Sequence, residues 1–467
     1  MPSNCFSKIC FIHYGIGWRD GVNTVLRTLA KEISKKYPSI KIGFFGGEIK
    51  EKFIKNAFYR AIPELLPKKQ KLTKTQIKKE SVAIAQKLAE FTKGIKIAVI
   101  ENPYLGDYHL PAMLGYSLYA KKYKPKETKV FFRVHDLYNN SPKYIKNLQA
   151  YFSPSEIKEI IKGEGVEAFF VPKRTRKLEL IQEGIEAGKI VYLPNGIDAS
   201  VFNQHLTRED KRAIYKFLRI PFSKVNSIKI LLYPVRVVPR KNIEEAILLT
   251  HFIRELTKKN YILVISGKID FNDSQGKNYY KKLIQLKKYV DFPIILAKGA
   301  FSSKRRYIGK NKIKEFGIGD LYQISEGIIM TSTEEGFGYP FLECWFAKKI
   351  VVGRRIPDVI DDFEKIGVKF WWLYPHFFIN RKRKDLAQIK NNDKDFCRIK
   401  KVAKILQNKK IQKEILELNR LLLEKQVKIL TNKKEQAEII KDNFKAAKKT
   451  YDILKIADQF LELTGLK

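Results

Sequence analysis

Two glutamates eight positions apart, Glu335 and Glu343, stand in the stretch TSTEEGFGYPFLECWFAKK with Gly336 and Gly338 between them. A turn at the glycines leading into a helix puts one carboxylate in a loop and the other about one turn along, both near the helix N-terminus. Carboxylates accept two hydroxyls at once, while glycine amides and the helix dipole face phosphate, so the arrangement suits a phosphorylated polyhydroxy ligand. Upstream, Arg236 and Lys241 bracket RVVPRK at the end of the apolar run ILLYPV. Two cations there can hold a diphosphate, the arginine in a bidentate fork and the lysine as a point charge. A third candidate is GIGWRDGV, where Gly15, Gly17 and Gly21 let backbone approach a ligand before NTVLRTLAKEI takes up helical spacing. Counting from Gly15, the sixth position is Asp20 and the glycine comes one later, so the dinucleotide fingerprint is a poor match.

Strands and helix starts must hold these groups in place. Runs rich in β-branched and aromatic residues recur in the first 200 positions: KICFIHY, KIGFFGG, KIAVIEN, KVFFRVHD, EAFFVP and KIVYLPNG. Alternating with helical spacing, they predict a parallel sheet buried on both faces. The pattern lapses into NQHLTREDKRAIYKFL between Phe202 and Ser227, then restarts with SIKILLYPVRVV, YILVISG, DFPIILAKGA, GIIMTST and KIVVGRR. This predicts two α/β domains, about 1–205 and 225–390. A Lys-rich tail over 391–467 has apolar positions at three and four and predicts helices, the last of which is expected to return to the first domain.

The 467 residues suffice for two or three domains, and 44% hydrophobic content excludes a chain disordered throughout. Lys and Arg number 91 against 49 Asp and Glu, a net charge of +42 that favours phosphates, nucleic acid or anionic lipid. Cys5, Cys10, Cys344 and Cys397 are too scattered for a disulfide framework or a four-ligand metal site, which fits a reducing cytoplasm. The most apolar run, VKFWWLYPHFFI, is too short to span a bilayer and contains Pro375 and His376. No secretory signal pattern opens the sequence, so export is not expected. Residues 50–79 hold ten basic side chains against Glu51 and Glu64, with Phe53, Ile54, Ala57, Phe58, Ile62 and Leu65 on roughly one helical face. That spacing predicts an amphipathic helix that could lie on an anionic membrane, or a solvated face. RKRKDL at 381–386 reads as a solvated basic surface.

Five landmarks now fall in one order: the loop ending at Gly21, the histidine of FFRVHDL at His135, YLPNGIDASVF, the pair Arg236 and Lys241, and the Glu335 to Glu343 motif. Together they resemble the retaining glycosyltransferases of family 4, over most of residues 8–362. The resemblance implies the GT-B fold, two facing Rossmann-like domains with C-terminal helices, the first on the acceptor side. It implies that Arg236 and Lys241 neutralise a nucleoside-diphosphate leaving group and that Glu343 holds the ribose. Glu335 and the backbone of Gly336, Phe337 and Gly338 would engage the donor sugar, Gly21 would approach the diphosphate, and His135 would sit near the anomeric carbon. No protein nucleophile, resident cofactor or metal is implied, the nucleotide sugar being a co-substrate. The chain departs from the family's usual pattern at Asp20, Val235 and Asn242, where glycine is the rule. VIENPYLGDYHLP, with Asn102, Gly106 and His109, matches an acceptor-side region loosely, and His109 reads better as structural. The implied location is the cytoplasm, with peripheral attachment at the inner membrane face as a candidate. Two rivals remain: a nucleotide-sugar epimerase of the same fold, and a non-enzymatic binder of polyanions. Nucleic-acid binding is disfavoured because no recognition motif accompanies the diffuse charge.

Overall fold

The reversal of strand order that opens a crevice in a doubly wound sheet occurs twice in this chain. The computed structural model describes residues 8–467 other than 19, 68–70, 105–108, 138–141, 270–273, 300, 303, 309–311 and 390–395. The chain divides into unit 1, Met1–Ile197 with Tyr451–Lys467, and unit 2, Asp198–Thr450.

In unit 1, β1 (Lys8–Ile16), β2 (Lys41–Ile49), β3 (Phe58–Ala61), β4 (Ile97–Glu101), β5 (Lys129–Arg133), β6 (Ala168–Val171) and β7 (Ile190–Tyr192) form one sheet. Its order is β3-β2-β1-β4-β5-β6-β7, and every pairing is parallel. Strand β1 shows why the run KICFIHY is apolar at nearly every position. Cys10 and Ile12 pack on one face with Phe45, Ala98 and Ile100, whereas Ile9 and Phe11 pack on the other with Phe44, Val99 and Phe131. Helix Ile453–Thr464 covers the second face, its Phe460 ring 6.0 Å from Phe11 and 5.8 Å from Phe170. Asp458 on that helix also meets Lys36 Nζ at 2.6 Å.

In unit 2, β8 (Ile228–Tyr233), β9 (Asn260–Ile265), β10 (Ile294–Leu296), β11 (Arg306–Ile308), β12 (Lys312–Glu315), β13 (Gly327–Met330) and β14 (Ile350–Gly353) make two sheets. The larger is parallel in the order β10-β9-β8-β13-β14, and β11 with β12 is an antiparallel hairpin. The tail forms helices Cys397–Leu406, Lys409–Leu418, Arg420–Thr431 and Lys433–Tyr451 ahead of Ile453–Thr464. Gln426 ties one of them to the sheet by accepting the Gly353 amide at 2.8 Å.

One sequence expectation is corrected. Residues 50–79 do not form an amphipathic helix: β3 interrupts them, a short 3-10 turn follows at Pro63–Leu65, and a helix begins only at Lys74. Their apolar residues fall on both faces of the sheet, Phe53 and Ile54 with Phe44 and Ile62 and Leu65 with Phe45. They are therefore not available as an insertion stripe. Residues 68–70 of this segment, Cys5 and Gly106 lie outside the described residues. Among the described residues no helix is long and apolar enough to cross a membrane, and no group of three or more His, Cys, Asp or Glu is arranged to hold a metal ion.

Candidate functional site

In unit 2 the strand order reverses between β8 and β13, and ligands of such sheets bind at the carboxyl ends beside that point. The loops leaving these two strands carry Arg236, Lys241 and Glu335. Tyr233, the last residue of β8, joins them: its hydroxyl donates to the Lys241 carbonyl, lies 3.0 Å from Ser332 Oγ and accepts the Thr331 amide at 3.2 Å. Thr331 Oγ1 donates to the Asn242 carbonyl at 2.9 Å, and the Thr333 amide to the Arg240 carbonyl at 2.9 Å.

Across this junction Lys241 Nζ meets Glu335 Oε1 at 2.5 Å. Ser332 Oγ donates to the same oxygen at 2.7 Å, and Arg240 Nη1 stands 3.9 Å from the other. Burial pushes the Lys241 ammonium down to about 8; Glu335 opposes this, while Arg240 and Arg236 add to it. Burial also raises the Glu335 carboxyl, but Lys241 and Arg240 outweigh that and hold it below the ordinary carboxylate range. Arg236, by contrast, is exposed and makes no ion pair among the described residues.

A buried ionic support lies under this loop. Asn242 has a left-handed backbone at φ 49°, a conformation that favours glycine and that asparagine tolerates better than most other residues. Its Nδ2 donates to Glu245 Oε2 at 2.6 Å. Arg354 Nη2 meets Glu245 and Asp385 at 2.8 Å each, and Tyr374 donates to Glu245 at 2.9 Å. Beside it, Arg398 Nη2 donates to the Pro239 carbonyl at 2.6 Å while its guanidinium pairs with Glu244.

Helix Tyr339–Phe346 starts from Gly338, whose φ of 82° and lack of a side chain are both required, since a Cβ would meet Val359 Cγ1 at 2.3 Å. Gly336 is different: nothing lies within 4 Å of a Cβ there, so its surface is open to a ligand. Phe337 packs its ring against Tyr339 and Phe363. Glu343 lies one turn into the helix and accepts the Tyr322 hydroxyl at 2.8 Å through Oε2. Burial pushes its carboxyl up to about 7, with the Tyr322 bond acting in the opposite direction.

In unit 1 the equivalent reversal lies between β1 and β4. Asp20 caps helix Gly21–Lys36, accepting the Asn23 amide at 2.8 Å and the Asn23 side chain through both oxygens. The departure from glycine at Asp20 therefore supplies a helix cap. Gly21 opens the helix with nothing within 4 Å of a Cβ, so no neighbour among the described residues requires glycine there. His135, two residues beyond β5, meets Glu101 Oε2 at 2.8 Å. Asn102, with φ 56°, exchanges bonds with Asp136, and His109 is occupied by the Glu64 carbonyl at 2.8 Å.

Unit 2 thus gathers Lys241 and Glu335 into one contact, with Arg236 on the same loop as Lys241 and Glu343 on the helix that follows Glu335. Gly21 and His135 belong to unit 1. The sequence reading did not identify Tyr233, Ser332, Tyr322, Glu101 or the buried acids Glu244 and Glu245. Ser332 stands within TSTEEGFGYPFLECWFAKK, Glu101 within VIENPYLGDYHLP and Tyr233 within ILLYPV, but nothing in their spacing marks them; the Glu244-Glu245 pair beginning a helix is a clearer signal, because two acids there imply partners when the helix is otherwise apolar.

Two Rossmann-like units with these crevices constitute the GT-B fold. The chain matches Anabaena Alr3699/HepE, solved in complex with UDP and glucose, at a TM-score of 0.56 and 15% identity, over 98% of this chain and 99% of that one. Mannosylglucosyl-3-phosphoglycerate synthase of Petrotoga mobilis is 28% identical over 212 residues, 45% of this chain and 38% of the relative. Mannosylglucosylglycerate synthase of the same organism is 28% identical over 251 residues, 51% of this chain and 53% of the relative. The chain therefore spans less than two thirds of the length of either relative. No family model matches it.

Proposed function

We propose that the protein is a retaining glycosyltransferase of the family 4 type, moving a hexose from a nucleoside-diphosphate sugar to a hydroxyl acceptor. The observation that carries this reading is the Lys241–Glu335 contact at the strand reversal of unit 2, with an exposed Arg236 on the same loop. Departure of a nucleoside diphosphate builds negative charge, and preplaced cations lower that barrier more than they lower the ground state. Lys241 has three donors and uses one on Glu335, so it can meet phosphate while still fixing the carboxylate that engages the donor sugar. Glu343 holds the ribose hydroxyls and the backbone of Gly336, Phe337 and Gly338 lines the sugar; in unit 1, Gly21 and His135 are assigned to diphosphate and donor sugar by the family resemblance alone.

In this reading the departing phosphate takes the acceptor's proton on the face it leaves, so catalysis rests on positioning and charge stabilisation. Arg236 and Lys241 supply the countercharge, making the reaction metal-independent; unchanged turnover in EDTA is expected. The relatives' names join mannose and glucose to glycerate or phosphoglycerate, which makes an acceptor bearing a carboxylate or phosphate the first to test. Protection against heat unfolding by a panel of UDP-, GDP- and ADP-sugars identifies the donor. NMR of the product then reads the anomeric configuration: an inverted centre rejects the retaining mechanism, and no protection by any donor rejects the reading as a whole.

A further inference from the structure

Glu101 is the last residue of β4, 1% exposed, at the strand reversal of unit 1. It is in register with Arg133 on β5, and His13 follows Ile12, the partner of Ile100, on β1. Three ionisable groups thus lie side by side at the carboxyl ends of adjacent strands, with His135 two residues beyond Arg133. The four are unequal: Glu101 Oε2 lies 2.8 Å from His135 Nε2, whereas Arg133 Nη1 is 3.7 Å from Oε1. Arg133 is further tethered by Asn195 at 3.3 Å, and His13 Nδ1 lies 2.9 Å from the Gly15 carbonyl of its own strand.

We propose that Glu101 is a positioning residue for His135, its buried carboxylate fixing the ring so that Nδ1 is the nitrogen presented to the substrate. An ionised carboxylate only accepts, so Nε2 must carry the proton in their hydrogen bond. Burial raises the Glu101 carboxyl, but Arg133, His135 and His13 together hold it below the ordinary range and hence ionised. His135 is 9% exposed while Glu101 is closed off, so the ring is the member of the pair that can reach a ligand. A carboxylate so deeply buried costs several kcal/mol unless its partners compensate. Arg133 alone could neutralise it; the shorter contact goes to the ring that the proposed function uses. This inference rests on that function, in which His135 serves the donor sugar.

The test is a double-mutant cycle with Glu101→Gln and His135→Ala, following diphosphate release from UDP-glucose or GDP-mannose, whichever the protein turns over. Glutamine keeps an acceptor but not the charge, and can turn its amide the wrong way. Glu101→Gln is expected to lower kcat about tenfold to a hundredfold with little change in KM. In the His135→Ala background the same change should matter less than about twofold. Equal losses in both backgrounds overturn the positioning role while leaving the proposed function intact. Full turnover by His135→Ala overturns the role of His135 and the inference with it. If Glu101→Gln does not fold, side-chain nitrogen NMR of the unaltered protein decides: a proton on Nε2 is expected, and a His135 ring protonated on Nδ1 alone overturns the proposal.

Discussion

Lys241 and Glu335, 94 positions apart, meet at 2.5 Å in unit 2, and both are largely shielded from solvent. Arg236, only five residues before Lys241, is exposed and has no ion-pair partner among the described residues. The two cations therefore respond differently to removal. Lys241→Ala takes from the buried Glu335 carboxylate its nearest cation and leaves it Arg240 at 3.9 Å and the Ser332 hydroxyl, so stability should fall by about 3 kcal/mol alongside turnover. Urea unfolding and kinetics on the same preparations check this.

Arg236→Ala should leave the unfolding midpoint essentially unchanged, within about 0.5 kcal/mol, as expected for an exposed residue. Turnover should nevertheless fall about a hundredfold or more if Arg236 stabilises the departing diphosphate. Near-normal turnover would show that the phosphate lies elsewhere.

Glu343, proposed above to hold the ribose, should give donor binding a pH dependence. Its folded carboxyl titrates at about 7 against an ordinary 4.5, so the folded state binds its proton more tightly than the unfolded state. Stability from this group is greatest below 4.5, falls as pH rises towards 7 and is level above that. Ribose binding, if Glu343 serves it as proposed, runs the other way, because an ionised carboxylate accepts from two hydroxyls at once. Affinity for UDP or GDP, measured by calorimetry, should rise through about pH 7 and then flatten. Tyr322→Phe removes the bond that favours ionisation, so it should move that midpoint upward.

Arg354 lies between Glu245 and Asp385 beneath the loop that carries Arg236 and Lys241. Arg354→Leu strands two buried carboxylates and should destabilise unit 2 by at least about 3 kcal/mol, read from chemical unfolding. A loss below about 1 kcal/mol would mean that the surrounding groups rearrange to satisfy both acids.

The described residues of 50–79 offer no apolar stripe, so any attraction of theirs to anionic vesicles is electrostatic. Cosedimentation with such vesicles should disappear at about 0.5 M salt, where screening acts over a few ångströms. Retention at that salt would show that apolar contact contributes.

The long strands were legible because burial on both sheet faces forces continuous apolar runs, as in KICFIHY. Strand β3 was not: FYRA is short, half its residues are exposed, and it sits at a sheet edge inside a basic stretch. Hairpin strands β11 and β12 carry Arg306 and Lys312 and lack the apolar run. At the site, the types and order of Arg236, Lys241, Glu335 and Glu343 were readable. Their connections were not, because the contacts of Tyr233 with Ser332 and of Glu101 with His135 join residues 99 and 34 positions apart. No local period encodes such contacts.

The helix Ile453–Thr464 closes a face of unit 1 although 253 residues of unit 2 precede it in the chain. During synthesis, the sheet of β1 to β7 emerges first but leaves Phe11 and Phe170 only partly covered, by helix Gly21–Lys36 and neighbouring rings, until Phe460 leaves the ribosome. Unit 2, drawn from one uninterrupted stretch, has all of its own residues before then. The second unit to be translated can thus be the first to finish folding, while the nascent first unit carries an exposed aromatic surface that a chaperone would recognise.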